Sequence, residues 1–270
     1  SLNWNKEPVI EEGRLTLPAM LAEHGYRTAM VGKWHLGFTV EDLADIHHGG
    51  PIDRGFASWF GIPASLDIPP YYYVEGNRAV SPPTGEIGDM NTEGWSPIQG
   101  EFWRAGGLAP GFKHIEVLPT LTERAEKEIL NHGKSHAGKP LFLYLALPAP
   151  HTPWVPTAEF AGRSRVPLYG DFVMQVDATV GRVLAALDKA KMAENTLVVY
   201  TSDNGPVWYE EDEAKYGHRS TGIYRGMKGD AWEGGHRMPF VVRWPAQIEA
   251  GWVTNQVACH TDLFATCAAI

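Results

Sequence analysis

Apolar and polar positions alternate along the chain in blocks that change period. Residues 16 to 25, TLPAMLAEHG, predict a helix: Thr16 can cap it, Pro18 suits its first turn and Gly25 can stop it. The segment YRTAMVG, residues 26 to 32, follows at once and predicts a strand. Its continuation ends in Lys33, Trp34 and His35, with a glycine on either side. If the extended conformation runs that far, Lys33 and His35, two positions apart, share one face.

From about residue 38 to 115 the chain is rich in Gly, Pro and aromatics, and no period is sustained. So long an irregular stretch inside a compact domain predicts functional surface. Regular structure returns with LPTLTERAEKEILNHG, where Leu118, Leu121, Ala125, Ile129 and Leu130 recur at helical spacing before Gly133. PLFLYLAL, residues 140 to 147, is a solid apolar run that predicts a strand buried on both faces. A further helix is expected over roughly 168 to 190, with Val173, Val176, Val180, Val183, Leu184 and Leu187 on one face. TLVVYTSDNG then predicts another buried strand. Strand and helix alternate throughout, which predicts an α/β fold: a mostly parallel sheet flanked by helices, in one domain spanning residues 1 to 270.

Composition narrows the possible functions. The 270 residues are 44% hydrophobic and 20% charged, which excludes a disordered or fibrous chain. No run of 18 or more apolar residues occurs, and Ser1 to Lys6 lack the basic-then-apolar order of a signal peptide, so neither a membrane span nor an export address is expected within the chain. Lys and Arg number 23 against 32 Asp and Glu, a net charge of -9, which argues against nucleic acid as a partner. Any bound anion needs a local cluster of cations. Cys259 and Cys267 lack C-x-x-C spacing, suggest neither a zinc site nor a disulfide, and are expected as buried thiols.

Chemistry collects after the predicted strands. Lys33 and His35 follow the first, His151 follows PLFLYLAL, and Asp203 and Asn204 follow TLVVYTS. Ligands of open α/β sheets bind beyond the carboxyl ends of strands, so these groups are expected on one rim. Asp203 and Asn204 offer a carboxylate and an amide oxygen side by side, which suits calcium or magnesium, although Asp-Asn-Gly is also a common turn. A single lysine or histidine of this set would be unremarked; their joint placement is what points to a site.

Several segments resemble the sulfatase family, of the alkaline-phosphatase-like fold. They are TLPAMLAEHGYRTAMVGKWHLG, HTPWVP, VVYTSDNG, YRGMKGDAWEGGHRMPFVVRWP and TDLFAT, in family order from about residue 14 to 267. The resemblance implies that Lys33 and Lys228 hold sulfate oxygens and that His35 hydrogen-bonds the nucleophile. It also implies His151 at the leaving-group oxygen, and Asp203 and Asn204 as two ligands of a divalent cation, usually Ca2+, with Mg2+ the alternative. Asp230 stands where the family often has a small hydroxyl residue.

The family's nucleophile is a formylglycine made from Cys or Ser in a segment C/S-x-P/A-x-R that precedes the lysine segment; neither cysteine and no serine here opens such a segment. The expectation is therefore an incomplete alkaline-phosphatase-like core, the central part of a sulfatase catalytic domain. The nucleophile, a pair of metal-binding aspartates and a C-terminal subdomain would lie outside residues 1 to 270. Such a chain is expected to be inactive by itself. The expected substrate is a sulfate ester, on a carbohydrate by family analogy. His47, His48, Tyr71, Tyr72 and Tyr73 are candidates for contact with sugar rings, and His218 and His236 have no assigned role. A phosphonate or phosphate ester hydrolase of the same fold and a non-catalytic sulfate-binding protein are the competing readings. The resemblance suggests a periplasmic, extracellular or lysosomal location and leaves the oligomeric state open.

Overall fold

Thr16 caps the first helix as its position predicts. In the computed structural model, which describes residues 7–136 and 138–270, its Oγ1 accepts from Ala19 N at 3.2 Å and donates to the Arg54 carbonyl at 2.7 Å. Ser1 to Lys6, on which the signal-peptide expectation rests, lie outside the described residues. Helix α1 (Leu17–Glu23) carries Pro18 in its first turn, and the chain leaves it through Gly25 at φ 86°. Strand β1 (Arg27–Lys33) follows, buried from Thr28 to Gly32.

The stretch expected to be irregular contains more order than its pattern suggests. Strand β2 (Ser58–Ile62) lies parallel to β1; the short strand β3 (Val74–Glu75) pairs antiparallel with β2, and β4 (Arg78–Ala79) antiparallel with β3. Strands β5 (Gly85–Ile87) and β6 (Gly106–Leu108) pair in a separate ribbon. Helix α2 (His114–Ser135) begins four residues before Leu118 and runs through Gly133. That glycine is a packing position, because a Cβ there would meet Ala190 Cβ at 3.1 Å. Strand β7 (Leu141–Ala146) pairs parallel with β1, giving the order β4-β3-β2-β1-β7.

Four expectations are corrected by this arrangement. PLFLYLAL forms the edge of the sheet among the described residues, so β7 is only partly buried and Tyr144 is 49% exposed. Helix α3 (Tyr169–Lys189) turns Phe172, Val176, Thr179, Ala186 and Leu187 inward, which places Val173 on the exposed side. The aromatic Phe172, one position earlier, takes the inner place. Strand β8 (Val198–Tyr200) pairs antiparallel with β9 (Val241–Arg243) in a two-stranded sheet of its own and is only partly buried, so TLVVYTSDNG is not the buried strand expected, while the α/β fold with flanking helices holds, its main sheet parallel across β2, β1 and β7. An apolar run specifies burial but not its pairing partner. Between β8 and β9 lie α4 (Glu210–Tyr216) and the single turn α5 (Glu233–His236), and α6 (Asp262–Ala269) follows β9. Cys259 near α6 is exposed and Cys267 is half-buried, so neither is the buried thiol expected.

The largest cluster of buried apolar residues joins the sheet to α2: Met30, Val31, Trp59, Ile62, Val117 and Leu121 meet between them. Glycines bring the three parallel strands β2, β1 and β7 together at their carboxyl ends. A Cβ on Gly61 would lie 1.7 Å from Gly32 O, and one on Gly32, at φ 124°, would lie 2.0 Å from Ala146 O. Backbone packed this closely fixes where β1 delivers its last residue, Lys33. Among the described residues no helix is long and apolar enough to cross a membrane.

His114, the first residue of α2, is buried against Trp103, stacked at 4.4 Å between centroids, and against the edges of Tyr71 and Phe112. Burial pushes its imidazole down to about 4 from an ordinary 6.5. The unfolded chain therefore takes up this proton first as pH falls. Stability is expected to drop as pH passes below 6.5, with the loss complete below about 4 and on the order of 3 kcal/mol. Urea unfolding at pH 7 and pH 4.5 checks this: His114→Phe should narrow the difference between the two midpoints, and an unchanged difference would refute the assignment.

Candidate anion-binding active site

Lys33 sits at the end of β1 with its Nζ 3.5 Å from Ser65 Oγ, and the same oxygen is 3.3 Å from His35 Nδ1. The two residues meet as expected, but by a different route. β1 ends at Lys33, the backbone crosses toward β2 through Trp34 N to Ile62 O (3.1 Å) and His35 N to Pro63 O (2.8 Å), and His35 has φ 56°. Strand alternation therefore does not align the side chains. Ser65, in the loop after β2, joins them.

Asp67 lies two residues further along that loop, buried. Its Oδ2 accepts from Arg104 Nη1 at 2.7 Å, while Oδ1 is 3.9 Å from His151 Nδ1 and has no hydrogen-bond partner among the described residues. His151 follows β7 and donates from Nδ1 to the Thr152 carbonyl at 2.7 Å. Its segment is anchored by Trp154, 2% exposed, whose Nε1 donates to Pro150 O at 2.9 Å.

Lys228 and the Asp203–Asn204 pair are locked together by glycines. Gly205 N donates to Gly235 O at 2.9 Å and Lys228 N to Pro206 O at 2.8 Å. A Cβ on Gly205 would come within 1.9 Å of Gly234 O, and one on Gly234 within 2.2 Å of Gly226 O. This close stacking explains the W-E-G-G segment: with side chains there, the lysine turn could not lie against the β8 turn. Asp230 Oδ2 accepts from Met227 N at 2.9 Å, the bond a small hydroxyl residue could also make, so the acidic residue preserves the turn that carries Lys228.

Electrostatics show that these segments face one another. Burial lowers the pKa of Lys33; Asp203 and Asp67 oppose that effect and Lys228 adds to it. Burial likewise lowers that of His151, opposed by the Thr152 carbonyl and by Asp67 and reinforced by Lys33 and Lys228. Cationic side chains within reach of one another suit a compact anion with several oxygens, whose charge they neutralise with little reorganisation.

Asp203 is exposed, and Asn204 Nδ2 donates to Gly205 O at 2.8 Å, which leaves the amide oxygen to act as a ligand. Two hard oxygen donors fit part of a calcium or magnesium shell, which takes about six to eight oxygens for calcium. Among the described residues no group of three His, Cys, Asp or Glu side chains gathers to complete one.

The candidates for sugar contact fall elsewhere. His47 is buried, 3.0 Å from Tyr72 Oη through Nε2 and 3.1 Å from Asn77 O through Nδ1, with Phe38 edge-on at 4.6 Å. Tyr71 is buried and donates to Arg104 O at 2.7 Å, and Tyr73 stacks on Phe60 at 5.3 Å. They form the core beneath the irregular region; His48 is exposed. His218 packs against Trp208, and His236 lies 3.9 Å from Glu233. Sequence reasoning missed Ser65, Asp67 and Arg104. The available signal was SLD after a five-residue strand, SWFGI, whose carboxyl end lies beside that of β1.

A half-buried lysine at the end of a parallel strand, with a second lysine and a histidine from later loops near enough to perturb its charge, marks an α/β protein with a candidate anion site. A model of the sulfatase family matches residues 3–270, and the chain belongs to that family. It is 34% identical to an N-acetylgalactosamine-6-O-sulfatase of Bacteroides thetaiotaomicron, over 98% of this chain and 58% of that protein. It is 31% identical to the mouse steryl-sulfatase, over 94% of this chain and 47% of that one. A solved Bacteroides thetaiotaomicron structure, described with the metabolism of multiple glycosaminoglycans, superposes with TM-score 0.78 at 31% identity, covering 91% of this chain and 58% of its own. The PsFucS1 sulfatase from Pseudoalteromonas sp. shares the fold at 23% identity, with TM-score 0.72, over 98% of this chain and 52% of its own. The chain thus spans about half the length of the curated relatives it matches.

Proposed function

We propose that the protein to which these residues belong hydrolyses a sulfate ester, with this chain supplying the groups that hold the sulfate. The observation that supports the proposal is that Lys33, Lys228 and His151 lie close enough to perturb one another's charge, on segments that match the sulfatase family. Lys33 and Lys228 bind sulfate oxygens and stabilise the charge that grows on them as the sulfuryl group transfers. His35, held through Ser65 beside Lys33, orients the nucleophile. His151 faces the bridging oxygen, where a proton assists departure of the alcohol.

Asp203 and Asn204 belong to the shell of a divalent cation, Ca2+ or Mg2+, completed from outside the described residues. Held there, the ion would supply Lewis acidity to the sulfate group. A formylglycine supplies the nucleophile, from a segment outside these residues. The similarity to N-acetylgalactosamine-6-sulfatases of Bacteroides and dog, each 34% identical, supports a sulfated carbohydrate as substrate. Release of inorganic sulfate tests this directly. The full-length protein is expected to desulfate N-acetylgalactosamine 6-sulfate or a related sugar and the 270 residues by themselves to release none. Sustained turnover by the 270 residues above contaminant controls would overturn the assignment of the nucleophile.

A further inference from the structure

Asp67 carries the strongest unexplained signal around the site. It is buried, yet among the described residues one carboxylate oxygen, Oδ1, has no hydrogen-bond partner, an arrangement that costs free energy unless a charge faces it. The His151 imidazole lies 3.9 Å from it at Nδ1. The other oxygen is tied down by Arg104, whose Nη1 donates to Oδ2 at 2.7 Å and to the Asp67 carbonyl at 3.0 Å; the Arg104 backbone N also donates to that carbonyl at 3.3 Å. Arg104 thus fixes the carboxylate from outside and leaves Oδ1 aimed at the histidine.

We propose that Asp67 is a positioning residue that favours the protonated form of His151 for the leaving-group step, with Arg104 setting the direction of its free oxygen. The inference rests on the sulfatase reading above. His151 Nδ1 already donates to the Thr152 carbonyl, so Nε2 is the nitrogen that serves the substrate. As the S–O bond breaks, the bridging oxygen takes the bonding pair and the Nε2 proton, the sulfur bonds to the oxygen nucleophile, and the imidazole is left neutral. Lys33 and Lys228 oppose the charged imidazolium and burial opposes it further, while Asp67 is the carboxylate acting in its favour. Without that carboxylate the two lysines that bind sulfate would strip the histidine of the proton it must give.

The test compares wild type, Asp67→Asn and Arg104→Gln in the full-length protein on aryl sulfates whose phenols differ in acidity. Asp67→Asn should lose about 10- to 100-fold in kcat on esters of weakly acidic phenols. The loss should be smaller on nitrophenyl sulfate, where departure needs less help, and the alkaline limb of the pH profile should move to lower pH. Arg104→Gln, which keeps the carboxylate, should show the same pattern more weakly. Equal losses on all esters with an unmoved pH limb would assign Asp67 a merely structural role and overturn the proposal. NMR titration of the His151 ring provides a readout independent of turnover. If wild type cleaves no sulfate ester but Asp67→Asn still makes the ring titrate at lower pH, the functional reading fails and the pairing stands. If the ring titrates identically in both proteins, the pairing fails.

Discussion

Lys33→Ala in the full-length protein should lower kcat/KM for an aryl sulfate by about 100- to 1,000-fold, the usual cost of removing one preorganised charge-stabilising donor. Lys33 is half-buried at the end of β1, and burial makes its charged form expensive; Asp203 and Asp67 offset that cost. A lysine held this way gives its charge to a bound anion more effectively than a solvated one would. Lys228 lies close enough to oppose its charge, so the alanine variant also relieves a repulsion and should fold as well as wild type. Steady-state kinetics with a thermal melt on the same preparation separate the effects. A fall below about tenfold would mean that the charge is not aimed at the transition state.

Gly234→Ala should abolish activity by a different route. The added Cβ would lie 2.2 Å from Gly226 O and 2.8 Å from Arg225 O, and backbone atoms cannot swing aside as a side chain can. The turn carrying Lys228 would move off the Asp203–Asn204–Gly205 segment, against which Gly205 and Lys228 are now hydrogen-bonded. Overpacking of this kind costs about 1–3 kcal/mol. The expected result is a loss of turnover of about 100-fold or more, comparable to loss of a catalytic donor, with new protease sensitivity between residues 203 and 236. Gly181→Ala is the control, because nothing lies within 4 Å of a Cβ there and its φ is ordinary. Normal activity in Gly234→Ala would show that the glycine stack does not position Lys228.

The parts of the structure legible in the sequence are those whose signals are local. Thr16 and Pro18 announce α1 because a cap and a first-turn proline act within four residues of one another. Lys33, His151, Asp203 and Asn204 were readable because each follows a recognisable apolar run, and the topology does the rest. What was not legible depends on distant partners. SWFGI is too short to show a period, so β2 and the Ser65–Asp67 loop behind it were passed over. The tie between Asp67 and Arg104 spans 37 residues and exists only in the fold. The aromatic trio Tyr71, Tyr72 and Tyr73 drew attention as a sugar platform, yet the loop region needed them as its own core. Val173 was assigned inward because a valine and its neighbour Phe172 compete for the same face of α3, and only packing decides between them.

The most direct measurement is the rate at which the full-length protein hydrolyses matched nitrophenyl sulfate and nitrophenyl phosphate. A site built from Lys33, Lys228 and His151 in a sulfatase framework predicts faster turnover of the sulfate ester, cut about 100- to 1,000-fold by Lys33→Ala. Preference for the phosphate ester, or equal turnover by the Lys33→Ala variant, would contradict the assignment of this site to sulfate.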